Sequence, residues 1–65
     1  SVAWRALQLR WLRHCRQCVI EERDAYVKAA SMPGSEFQLG EKYLANCAAA
    51  VAKYDAQIAL LEIHS

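Results

Sequence analysis

The stretch His14-Cys15-Arg16-Gln17-Cys18 is where side chains able to ligate a metal or attack an electrophile lie closest together in this chain. In an antiparallel pair of helices Cys47 falls near the level of Cys18, so His14, Cys15, Cys18 and Cys47 would supply the Cys3His donor set of a tetrahedral zinc site. The spacing argues for a plainer role. Unpaired cysteine is among the most buried residues and behaves as a small hydrophobe, and zinc-binding cysteine pairs favour turns over the middle of an uninterrupted helix. The Cys-x-x-Cys letters also lack the helix N-terminus and βαβ setting that redox chemistry needs. The three cysteines are therefore expected to be packing residues, with a zinc-stabilised hairpin as a lesser reading and no cofactor required.

Arginine is the second candidate. Arg5, Arg16 and Arg23 fall on one line of a helix, with Arg10 and Arg13 turning away from it. Residues 1–20 carry four arginines and no acid, while all seven acids lie from Glu21 onward. Such a basic end beside Trp4 and Trp11 would suit an RNA backbone. Against this, the net charge is only +1, and arginine stems often do no more than cover apolar surface. Nucleic-acid binding is kept as the alternative. No acid pair and no Ser, His and Asp set has a catalytic spacing, and His64 lies far along the chain from His14. The expectation is a protein that is not an enzyme.

The elements that hold these residues follow from the turn signals. The only punctuation is Ser31-Met32-Pro33-Gly34-Ser35-Glu36-Phe37-Gln38. Pro33 disfavours helix at Met32, Gly34 permits positive φ, and Ser35 with Gln38 reads as a capping box. This predicts a single domain over 1–65: a helix over about 2–30, a turn at 31–35 and a helix over about 36–63. A chain with 55% hydrophobic residues, two glycines and one proline is all-α. Two long helices joined by a short connection make an antiparallel hairpin.

Helix 2 has a seam of Gly40, Leu44, Cys47, Val51, Tyr54, Ile58 and Leu61 in alternating steps of four and three, the a/d pattern of a coiled coil. Helix 1 offers Trp4, Leu7, Trp11, Cys15, Cys18, Ala25 and Ala29, widened by Val19 and Tyr26. These seams are expected to face each other, with Glu22 as a polar interruption bonded to a tyrosine of helix 2.

A second seam then stands out. Ala45, Ala49, Ala52, Ala56, Ala59 and Ile63 lie opposite the large seam of helix 2, where a solvated face would carry Glu, Lys, Gln and Arg. On helix 1, Val2, Leu9, Ile20 and Val27 line up about half a turn from the tryptophans. Burying each further aliphatic side chain is worth about 1.5–3 kcal/mol. Sixty-five residues bury only about 60% of their unfolded surface. The alanine seam is thus expected to be a close-packed contact with a second copy, completing a four-helix bundle, or with another helical protein.

No uncharged apolar run reaches the roughly 18 residues of a membrane span, and the odd cysteine count with no leader pattern points away from a disulfide framework. The expectation is a cytoplasmic assembly or adaptor protein with no membrane association.

Overall fold

A computed structural model describes residues 2–63. Helix α1 spans Val2–Ala30 and helix α2 spans Glu41–Ile63, and they pack against each other with no strand among the described residues. Three cross-helix contacts show the antiparallel sense. Arg13 meets Glu62, Arg16 meets Asp55 and Glu22 meets Tyr43, so α2 recedes as α1 advances.

The end of α1 is where Pro33 and Gly34 place it. The Ser31 amide donates to the carbonyls of Val27 and Lys28, and its hydroxyl donates to the Val27 carbonyl at 2.8 Å. Met32, Pro33, Gly34 and Ser35 then form a turn closed by the Ser35 amide on the Met32 carbonyl at 3.1 Å. Proline at its second position and Gly34 at its third, with φ of 77°, give it the type II form.

Helix α2 begins five residues later than the sequence signals suggest, at Glu41 and not Glu36. The capping box does not form, because the Ser35 hydroxyl accepts from the Phe37 amide at 3.1 Å in a local turn. Residues 35–40 stay non-helical while the Phe37 ring stacks on Tyr26, centroids 5.6 Å apart, and Tyr26 in turn meets Tyr43 edge to face. Gly40 is therefore not a seam residue of α2. It stands just before the helix, its carbonyl accepting the Leu44 amide at 3.3 Å.

Glu22 does find a tyrosine: the Tyr43 hydroxyl donates to its carboxylate at 3.4 Å. Burial at this corner, with the Cys47 thiol and then the Glu22 carboxylate adding to it, holds the Tyr43 phenol well above its ordinary range.

The inner face of α2 is the one its periodicity marks, except at Leu44, which the first turn leaves 37% exposed. Cys47 and Ile58 are 7% and 9% exposed, and Tyr43, Val51, Tyr54 and Leu61 are half-buried. The inner face of α1 keeps only part of the expected seam. Cys15, Val19 and Ala29 are half-buried, joined by Leu12 and by Arg5, Arg16 and Arg23. Trp4, Leu7 and Trp11 are 61%, 55% and 65% exposed, and Cys18 and Ala25 are exposed as well.

Helix geometry explains the change. Successive residues sit about 100° apart, so with Leu12 inward Trp11 must point sideways. That rotation also brings Arg13 and Arg16 to Glu62 and Asp55. Turning the tryptophans inward would carry both arginines away from those acids. Arginine stems supply the apolar cover that the larger side chains were expected to give.

Candidate interaction surface

The side chains able to do chemistry are not gathered into a reactive centre. His14 and Cys18 lie one helical turn apart, with Sγ 3.5 Å from Nε2. Cys15 is half-buried, Cys18 exposed and Cys47 buried, so the three thiols occupy different environments and all are free. Among the described residues no three His, Cys, Asp or Glu side chains converge to hold a metal ion. The Cys3His set drawn from the spacing of His14, Cys15, Cys18 and Cys47 is thus not assembled. His64 lies outside the described residues.

The arginines are largely spoken for. The Arg16 Nε donates to Asp55 at 2.6 Å, Arg13 to Glu62 at 3.3 Å and Arg23 to the adjacent Asp24 at 3.1 Å. The line of Arg5, Arg16 and Arg23 runs along the packed face, half-buried, and does not form an outward stripe for a phosphate backbone.

These ion pairs divide the hairpin into two unlike sides. One edge is bridged by Arg13–Glu62 and Arg16–Asp55, and around α2 beyond them runs the line Ala45, Ala49, Ala52, Ala56, Ala59 and Ile63, all exposed. Of the four aliphatic residues of α1 singled out beside that line, Val2 and Val27 are exposed while Leu9 and Ile20 are half-buried at the margin of the packed face.

The opposite side is aromatic. Leu7, Trp11, His14 and Cys18 follow one another along α1, and the Trp11 and His14 rings lie 5.9 Å apart. Trp11, Leu12, Leu60 and Leu61 line an open groove of about 370 Å³ between the helices. A second groove of about 360 Å³ opens at the connection, lined by Tyr26, Phe37, Leu39 and Tyr43. The two flank the same side of the hairpin at its two ends.

Reading the sequence alone placed this aromatic stripe inside. A signal against that lay in Asp55 and Glu62, the acids nearest the inner face of α2, which match Arg16 and Arg13 in an antiparallel register when α1 is turned this way.

Compared with protein families, curated proteins and solved structures, the chain matches none. Among the described residues no helix is long and apolar enough to cross a membrane.

Proposed function

We propose that this chain is a non-enzymatic assembly module, a helical hairpin that is one part of a larger helical body. The observation that carries this reading is the poverty of its own interior. No residue of α1 is buried, and the well-covered hydrophobic residues are Cys47 and Ile58 alone among those described. The molecule measures 52 × 17 × 10 Å, a single layer of helix. Its radius of gyration is 15.4 Å, against about 10.7 Å for a compact domain of this length. Globular domains close their cores with at least two layers. A second layer here would cover Leu7, Trp11 and Leu60, and a few such side chains outweigh the few kcal/mol of stability expected of so small a domain.

The alanine line serves the same function in a different way. Small side chains let a neighbouring helix approach closer than the usual 8–10 Å between axes. Ala45, Ala49, Ala52, Ala56, Ala59 and Ile63 thereby offer a flat docking strip for a helix of another protein, as an adaptor needs.

Thermal unfolding of the purified chain, followed by far-ultraviolet circular dichroism across about a hundredfold range of concentration, tests the reading. A midpoint that rises with concentration supports it, as does a broad, non-cooperative melt of a lone copy. A sharp transition whose midpoint ignores concentration would show one copy to be complete and would overturn it.

A further inference from the structure

We propose that a second copy of this chain covers the aromatic side, antiparallel to the first, with the two-fold axis crossing α1 at Cys18. This rests on the assembly reading and names its partner and register.

The area fits. The chain exposes 5153 Å², whereas a compact protein of 7.4 kDa exposes about 4200 Å². The excess of about 950 Å² is close to the roughly 800 Å² that each partner contributes to a stable specific interface.

The stripe on α1 complements itself in one direction only. Its large residues lie toward the N-terminus and its small ones toward the C-terminus. Trp11 and Ala25 are each seven residues from Cys18, and Leu7 and Ala29 are each eleven. Reversing one copy about Cys18 sets indole against methyl and isobutyl against methyl, the large-to-small alternation that fills space between helices. His14 and Glu22, each four residues from Cys18, then meet as an ion pair in waiting. A parallel arrangement would stack Trp11 on Trp11.

Helix α2 obeys the same axis. The register set by Tyr26 against Tyr43 puts Val51 level with Cys18, and Arg16 on Asp55 agrees with it to within two residues. About that level, Leu60 falls opposite Tyr43 of the second copy and Gln57 opposite Asn46, to within a residue. The groove beside Trp11 and Leu60 in one copy thus faces the groove beside Tyr26 and Phe37 in the other. The result is a four-helix bundle with α1 on α1 and α2 on α2.

The test combines a short bis-maleimide cross-linker with sedimentation equilibrium of the full chain. The expected result is a dimer whose principal covalent link joins Cys18 to Cys18, with the link absent and the mass unchanged in Cys18→Ser. Trp11→Lys should raise the dissociation constant by about thirtyfold, with helix content unchanged at concentrations where it is still dimeric, and Trp11→Leu should fall between. A dimer that gives no Cys18–Cys18 link and ignores Trp11→Lys overturns the register and leaves the assembly reading standing. A monomer that is incompletely folded overturns the second copy as partner and again leaves the assembly reading. A monomer that folds cooperatively when dilute overturns both.

Discussion

Ile58→Ala probes the interior of the hairpin most directly. Ile58 is 9% exposed and, with Cys47, makes up its well-covered core. Truncating a buried isoleucine to alanine costs about 2–5 kcal/mol, the spread reflecting how far the site can collapse or admit water. A layer 10 Å thick has solvent close by on both sides, which places this site at the low end, about 2 kcal/mol. That is roughly thirtyfold in the ratio of folded to unfolded chains and a large share of the total for so small a domain. For 60–100 residues it corresponds to a fall of about 8–16 °C in the thermal midpoint. The assay is circular dichroism melting at matched protein concentration, with Ile63→Ala as the control of identical chemistry. Ile63 is 73% exposed, so its truncation should stay within about 0.5 kcal/mol. Equal costs at the two positions, or less than about 1 kcal/mol at Ile58, would show that the helices do not meet along the face described.

Three further outcomes follow from single features. Gly34 holds φ of 77° with open space where a Cβ would stand, so Gly34→Ala should cost about 1 kcal/mol through backbone strain alone and Gly34→Asn less, both read from urea melts. The Tyr43 phenol is held protonated in the fold. A group whose folded pKa is raised lends stability fully present below its unfolded value and lost as pH rises through the folded one, so stability should decline from about pH 10 upward. Ultraviolet titration should show one of the three tyrosines resisting ionisation until unfolding, and Tyr43→Phe should abolish that resistant step. Ala52→Arg changes helix propensity by only a few tenths of a kcal/mol and lies off the two-fold contact, so sedimentation should find the dimer unchanged. Loss of the dimer in that variant would move the self-contact to the alanine line.

Much of the fold is written in the spacing. The break at Pro33-Gly34 ends α1 where a backbone without helical freedom must end it, and the four-three rhythm from Cys47 to Leu61 names the inner face of α2. The start of α2 was not legible, because Ser35 and Gln38 satisfy the letters of a capping box while the stacking of Phe37 on Tyr26 diverts the chain. Nor was the rotation of α1. A helix carrying two tryptophans on one side and Leu12, Val19 and three arginine stems on another has two faces that can meet a partner. Side-chain volume alone favours the tryptophans. Asp55 and Glu62 on α2 mark the rotation adopted by pairing with Arg16 and Arg13, but exposed pairs of this kind are worth too little to set it alone, and no property of α1 by itself records it. A further candidate surface arises for the same reason: the stripe expected inside is exposed, beside the alanine line that the spacing marks and that is exposed as well.

The claim beneath all of this is that one hairpin leaves its apolar sides uncovered. Sedimentation equilibrium across a dilution series, with helix content measured at each step, addresses it most directly. The account predicts a mass near twice that of the chain, falling on dilution together with the helical signal. A mass of 7.4 kDa at every concentration, with helix content and cooperative melting undiminished, would contradict it.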